Sequence, residues 1–424
     1  MRRSFHLTAA CAAVLLAPGG PAHAAAKSPE EIAAAALKAA PVWDGHNDVP
    51  EQLRERYKNM IAGFDFTNTT GTANPERGWV TMHTDLARLR QGKVGAQFWS
   101  VYVSAALSDQ QAVQAVMEQI DVTRRLNAKY PQDMQFADNA AGAEAAMKAG
   151  RIASLLGMEG GYAIGNSPGV LRQFRALGVR YMTLAHFKST SWADSATDAP
   201  KNNGLSAFGK DVVREMQRIG MMVDLSHVST KTMMDALDVA KAPVIFTHSG
   251  ARAVDDHPRN VPDAVLARVR DNGGIVMVVS LPAYVSQKAR DWSVSRTAER
   301  ARLDALWTEA PERAKAALAD WEKAHPAPGA ALSDLADHVD HVVKVAGIDH
   351  VGLGGDFDGM AEATRGFDDV AHYPALFAEL ARRGYSQGDL EKVASRNLMR
   401  VLKAADAYAA AHAGDPALET PTAF

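Results

Sequence analysis

Eight short apolar runs punctuate the chain. They are "APVWDGH" (40–46), "VGAQFWSVYVS" (94–104), "RIASLLGME" (151–159), "VRYMTLAH" (179–186), "MMVDLSH" (221–227), "APVIFTH" (242–248), "GGIVMVVS" (273–280) and "DHVGLGGDFD" (349–358). Between most of them apolar positions recur at helical spacing. "SPGVLRQFRALG" opens on Ser167 with a proline next and closes on Gly178, and "SAFGKDVVREMQRIG" closes on Gly220. "STKTMMDALDVA" opens on Ser229 and Thr230, and "DAVLARVRDNGG" closes on Gly273 and Gly274. Strands that alternate with helices predict parallel βα units, and eight of them is the count of a closed (β/α)8 barrel of the TIM type, an α/β fold. A doubly wound open sheet is the main rival.

Two regions depart from the alternation. Residues 284–335 are too long for a loop and carry a charged, alanine-rich pattern, "ERARLDALWTEAPERAKAALADWEKAHP", which predicts a solvated helical insertion before the last strand. "LSDLADHVDHVVKVAG" supplies the helix that leads into that strand. His338 and His341, one turn apart on it, could bind metal but read more readily as helix surface. A C-terminal helix follows the barrel, with Ser386 and Asp389 as its capping box. The expected organisation is an export segment at 1–24, one (β/α)8 domain at 25–410 and a flexible tail at 411–424.

The polar residues at the strand ends carry the chemistry. His46, Glu159, His186, His227, His248 and Asp356 each end an apolar run. In a barrel the C-terminal strand ends converge on one mouth, where active sites form. Each residue has a bland alternative. His186 could be a satisfied core histidine, Glu159 a loop carboxylate, His227 and His248 helix caps, and Asp356 and Asp358 decoration of a glycine-rich turn. Their shared position favours a common metal centre. In "HND", alternate residues of an extended strand point the same way, so His46 and Asp48 can reach one point; a polar turn is the alternative there. Asp44 reads as a turn residue or as support for a ligand. Trp192 and Asp194 read equally as mouth or loop packing, and Thr84–Asp85 as a helix start.

Composition narrows the picture. The 424 residues are 47% hydrophobic with formal net charge −3, which argues against nucleic acid as a main partner and offers no polybasic membrane patch. Arg2 and Arg3 precede an apolar stretch around Leu7–Ala17, then Ala22-His23-Ala24. That pattern reads as an export signal of secretory or twin-arginine kind, with a buried N-terminal helix as the alternative, so a periplasmic or extracellular location is expected. The single cysteine, Cys11, lies inside it. The mature chain then has no disulfide and no thiolate ligand. Any metal must be held by His, Asp and Glu, which suits zinc or a similar borderline ion.

With these stretches in view, the sequence resembles the membrane or renal dipeptidase family, zinc dipeptidases built on an amidohydrolase-type barrel. The resemblance is carried by "DGHND", "HTDLARL", "GMEGG", "YMTLAH" with "WADSATD", "GLSAFGKDVVREMQRIGMMVDLSHVS", "FTHSGARAV", "HPRNVPD" and "HVGLGGDFDG", and runs from about residue 42 to 400. It implies a two-zinc centre, with His46 and Asp48 on the first ion, His227 and His248 on the second, and Glu159 bridging. It further implies that His186 and Asp356 are the catalytic and substrate-contacting pair and that Arg259 receives the substrate carboxylate. Without the resemblance Arg259 would read as a surface arginine. The animal relatives carry disulfides and a lipid anchor. Here the tail "AHAGDPALETPTAF" lacks an anchor's apolar segment, so no stable membrane anchor is expected and any homodimer is non-covalent. The segment at 285–330 fits the family poorly.

The implied chemistry is hydrolysis of a dipeptide's peptide bond. A bridging water acidified by two metals attacks the carbonyl, His186 faces the oxyanion and Asp356 shuttles the proton. A guanidinium fork matches a carboxylate, so Arg259 selects a free C-terminus. D-residues at the second position and β-lactam amides are further expected substrates. A metal-dependent deacylase or lactonase on the same barrel is the alternative, and a non-catalytic metal-binding protein a more distant one.

Overall fold

A computed structural model describes residues 27–420, with Met1 and His6 besides. The expected export segment lies outside the described residues but for those two. Among the described residues nine strands form one parallel sheet: β1 (Val42–Asn47), β2 (Val94–Tyr102), β3 (Met134–Phe136), β4 (Ile152–Glu159), β5 (Val179–Thr183), β6 (Met222–Asp224), β7 (Ile245–Phe246), β8 (Ile275–Val278) and β9 (Val351–Leu353). Eight of these are the runs read from the sequence. β2 pairs β4 in continuous register from Ala96↔Ala153 to Tyr102↔Glu159, and β1 pairs β9 at Asp44↔Leu353, so the eight close into a barrel. The open-sheet rival falls. β3 was not foreseen. It is three residues long, and it pairs only with β4, outside the ring.

The interior is filled, not hollow. Trp43, Phe98, Leu155, Tyr181, Met222, Ile245, Ile275 and Met277 form one buried cluster. The last helix, Asn397–Ala411, contributes Leu398, Val401, Leu402 and Ala405 to the same cluster. Its start differs from a plain capped helix. The Ser386–Asp389 capping box begins Gln387–Glu391, and a π-helical turn at Lys392–Arg396 joins it to the final segment.

Helix α1 (Pro29–Ala39), capped by Ser28 and Glu31, packs ahead of the barrel, and α2 (Val49–Tyr57) begins straight after β1 with Asp48 at its N-cap. The insertion is a helical hairpin, Gln287–Leu306 and Pro311–Ala324, broken at Pro311. Only Ala289, Leu303 and Ala314 of it are buried, as a solvated segment requires. One expectation fails here. His338 is buried, with Nδ1 accepting from the Ala251 N–H and Nε2 donating to the Val285 carbonyl, because its helix packs that face against the barrel. The tail expected to be flexible is tied at Leu418, whose N–H reaches Glu215 and whose carbonyl accepts from Arg172. No helix among the described residues is long and apolar enough to cross a membrane.

Candidate metal centre and active site

The strand ends deliver their polar residues to one point. Glu159 closes β4, and its Oε1 lies 3.0 Å from His227 Nε2, 3.4 Å from His248 Nε2 and 3.6 Å from His186 Nε2. Its Oε2 lies 3.3 Å from His46 Nε2, which is itself 3.4 Å from Asp48 Oδ2. Ser100 on β2 donates to Oε2 at 3.1 Å. All these residues are buried. His46–Asp48–Glu159, Glu159–His227–His248 and His46–His248–Asp356 each bring one ligand atom per residue within 4.8 Å of the others.

The backbone is bent to achieve this. His227, Asp356 and Asp358 adopt positive φ values of 67°, 61° and 68°, a region that non-glycine residues occupy at a cost and mostly at functional sites. Asp358 is structural: its Oδ1 accepts from the His83 N–H while its own N–H donates to His83 Nδ1. The "HTDLARL" stretch is thereby pinned beside the mouth, and Asp85 caps Leu86–Gln91 as its sequence suggests.

Beneath the site, a hydroxyl fixes the tautomer of His248. Thr247 Oγ1 lies 2.8 Å from both Asp224 Oδ2 and His248 Nδ1. A carboxylate only accepts, so Thr247 donates to Asp224 and accepts from His248 Nδ1–H. His248 Nε2 then keeps its lone pair. The Tyr181 hydroxyl lies 2.9 Å from His46 Nδ1, and His46 Nε2 has no hydrogen-bond partner. Gly157 makes room for Tyr181, since a Cβ there would fall on its ring. Asp44 does not touch the His46 ring. It accepts from the N–H groups of His46 and Gly355 and ties β1 to the loop after β9.

The electrostatics suit a cation. Burial opposes ionisation of Glu159, but His46, His186, His227 and His248 outweigh it and hold the carboxyl well below its ordinary range. Burial, with Arg259 or His46 next, holds His227 and His248 well below theirs, so both are neutral. Their Nε2 atoms face each other at 2.8 Å across Glu159. Two neutral imidazoles and a carboxylate converging in a buried pocket fit a divalent ion, and the all-N/O donor set fits zinc. His186 belongs to none of the three ligand groups. Burial, offset in part by Glu159, lowers it to about 4, so it too is neutral at pH 7. Burial, then Asp48, pushes Asp356 well above its ordinary range. Asp356 offers a carboxylate oxygen within 4.8 Å of a ligand nitrogen of His46 and of His248.

Arg259 is not a surface residue. It is fully buried, donates from Nη2 to the His248 carbonyl at 3.1 Å, lies 5.4 Å over the Tyr284 ring and keeps Nε unpartnered. A cavity of about 200 Å³ gathers Asp48, Glu159, His186, Arg259, Tyr284 and Asp356. Glu51, Tyr102 and Tyr284 line it too, and sequence reading missed them. Tyr102 had a signal, since it ends the β2 run beside Glu159. Burial, then the neighbouring Asp48 and Glu159 carboxylates, raises Glu51 to about 9. Trp192 and Asp194 resolve as loop packing: Trp192 is buried against Phe208, and Asp194 accepts from the N–H groups of Lys201, Asn202 and Gly204.

Comparison with known proteins agrees with the geometry. The family model described as membrane dipeptidase (peptidase family M19) matches residues 30–415. An uncharacterized dipeptidase of Schizosaccharomyces pombe is 39% identical over 390 residues, covering 89% of this chain and 83% of the relative. The dipeptidase tcpJ of Claviceps purpurea is 40% identical over 380 residues, covering 88% and 78%. Among solved structures, the probable dipeptidase PvdM from Pseudomonas aeruginosa superposes with a TM-score of 0.77 at 23% identity, over 90% of this chain and 99% of that one. A metallo peptidase from Rhodobacter sphaeroides, liganded with a phosphinate mimic of the dipeptide L-Ala-D-Ala, gives 0.69 at 23% identity, over 86% and 99%. The chain belongs to the membrane dipeptidase family, peptidase family M19, and is a metallo-dipeptidase.

Proposed function

We propose that this chain is an exported, zinc-dependent dipeptidase acting on dipeptides whose two ends are free, with a D-residue tolerated at the second position. The observation that carries the reading is Arg259. A buried guanidinium with an unpartnered Nε, in the same small cavity as the metal-ligand cluster, calls for an anion at a fixed distance from the reacting bond. The cavity, at about 200 Å³, is below the range of drug-sized pockets and suits a substrate of two residues.

His46 and Asp48 would hold one zinc and His227 and His248 the other, with Glu159 between them. Bound there, the metal supplies a water acidic enough to ionise near neutrality and polarises the scissile carbonyl. The chain's residues do the rest. Arg259 orients the substrate through its C-terminal carboxylate. His186, neutral at pH 7, offers an N–H to the carbonyl oxygen as negative charge develops on it. Asp356 accepts the proton of the attacking water and returns it to the leaving amine, a task suited to a carboxyl whose pKa is raised. The ligand bound to the Rhodobacter protein motivates the D-residue proposal, and a β-lactam amide is the same bond type under strain. Export rests on the Arg2–Ala24 pattern and on a mature chain without cysteine.

The test is hydrolysis of dipeptides with L- and D- second residues, each with a free and an amidated C-terminus, before chelation, after it and after zinc is restored. Zinc-restored cleavage of free-ended dipeptides alone supports the proposal. Indifference to the blocked terminus moves the assignment to a deacylase or lactonase, and no hydrolysis with metal bound moves it to a binding protein.

A further inference from the structure

Glu51 is the cavity carboxylate that the reading above leaves without a task. It stands three residues after Asp48, in the first turn of α2, and lines the cavity with Tyr102, Glu159, His186 and Asp356. Unlike Asp48, Glu159 and Asp356, it belongs to none of the ligand groups. Acids in a first turn ordinarily face water and complement the helix dipole. Glu51 instead faces into the site, with Asp48, Glu159, Glu55 and Asp356 as its charged neighbours and no hydrogen-bond donor among the described residues. A carboxylate crowded by like charges and given no donor gains most from a cation brought by the ligand.

The placement is complementary to Arg259. Glu51 follows β1 and Arg259 follows β7, with β8 and β9 between those strands. Arg259 weighs on His186, His227, His248 and Asp356 but is not among the charges that weigh most on Glu51. The two approach the cavity from different walls.

We propose that Glu51 binds an ammonium group of the substrate, so that the cavity holds a dipeptide by its anion at Arg259 and by its cation at Glu51. The inference rests on the dipeptidase assignment. The ammonium has two sources, the free α-amine or a basic side chain on the first residue, and both present the same charge-assisted hydrogen bonds.

The experiment uses the zinc-loaded full chain and its Glu51→Gln and Glu51→Asp variants, with Ala-Ala, Lys-Ala and N-acetyl-Ala-Ala as probes. KM and kcat are measured separately, with metal content and calorimetric binding alongside. Glu51→Gln is expected to raise KM by roughly 10- to 100-fold, the worth of one charge-assisted hydrogen bond, with kcat within about twofold. Glu51→Asp is expected to recover part of the loss. If the α-amine is the source, both Ala-Ala and Lys-Ala weaken and N-acetyl-Ala-Ala is poor on the wild type and insensitive to the substitution. If the side chain is the source, Lys-Ala alone weakens. Unchanged KM for both free dipeptides overturns the proposal, and so does loss of metal from Glu51→Gln, which would make it part of the metal shell. Should the wild type hydrolyse none of the probes, the dipeptidase reaction falls. Calorimetric binding of the same probes to wild type and variants then decides Glu51 by itself.

Discussion

Thr247→Val tests whether the metal site is tuned from below. The substitution keeps the shape and removes one hydroxyl, 2.8 Å from Asp224 Oδ2 and 2.8 Å from His248 Nδ1. Asp224 loses little, because Thr183 Oγ1 and the N–H groups of Ser226 and Thr247 still donate to it. His248 loses its only Nδ1 partner in a fully buried setting, a cost of about 1–3 kcal/mol. The ring can escape that cost by moving its proton to Nε2, which aims an N–H at His227 and Glu159 and removes the lone pair a metal needs. Metal affinity is therefore expected to fall by about 10- to 100-fold, the usual effect of losing a ligand's orienting partner. Thr247→Ser keeps the hydroxyl and should hold metal nearly as well as the parent. The assay is metal retained after equilibrium dialysis against graded chelator, with kcat/KM at saturating zinc and melting of the metal-free protein. If Thr247→Val binds metal within twofold of the parent while its melting temperature falls, the hydroxyl serves packing only and the tautomer argument is wrong.

Arg259→Met should raise KM for free dipeptides by roughly 30- to 100-fold and leave amidated ones unaffected; an unchanged KM would remove the clamp. Asp356→Asn should retain metal and lose turnover by orders of magnitude, so near-normal kcat with full metal content would dismiss it as the proton carrier. Asp255 is buried with neither carboxylate oxygen hydrogen-bonded and Arg290 only at 4.0 Å, and burial raises it from 3.8 to about 6. Its folded form binds the proton more tightly than the unfolded chain, so its stabilising contribution is complete below about pH 4 and lost as pH rises through 6. Asp255→Asn should thus be more stable than the parent at pH 7.5, by about 1–3 kcal/mol, and equal to it near pH 4; a difference that does not depend on pH would refute this. Gly157→Ala must displace the Tyr181 ring, so a loss of about 1–3 kcal/mol together with weaker metal binding is expected, read by melting and metal content.

The strands were legible because burial on both faces demands continuous apolar runs, and eight such runs ending in polar residues are a pattern that closure into a barrel explains. β3 was not, being three residues with one partner. His338 misled because one helical turn of histidines among aspartates looks solvated. Only the packing of Leu332–Ala346 against the barrel reveals that His338 faces inward to the Ala251 N–H while His341 meets Asp263. The insertion was legible as solvated helix but not as a hairpin, since Pro311 fits a second helix's start as well as a break in one.

The site divides along a physical line. Candidate ligands and their polar neighbours at the strand ends are visible as the last letters of an apolar run, so His46, Glu159, His186, His227, His248 and Asp356 could be read as one cluster. Groups that hold those ligands in place sit wherever a neighbouring strand's register puts them. Tyr181 reaches His46 from β5, and Asp224 reaches Thr247 from β6. No spacing within one strand encodes either contact, because both depend on how the strands stagger as the ring closes. Arg259 shows the same limit more sharply. Its residue type and its loop suggested solvent, yet the chain after β7 folds back so that its Nη2 reaches the carbonyl of His248. The arginine that would read the substrate's carboxylate is thus hydrogen-bonded to the backbone of His248, a candidate metal ligand, so the candidate anion and metal sites are set by one loop. A substitution that moves this loop should alter metal affinity and KM together, whereas one confined to the Arg259 guanidinium should alter KM alone. Measured on the same protein, that contrast separates the loop's scaffolding role from the side chain's binding role.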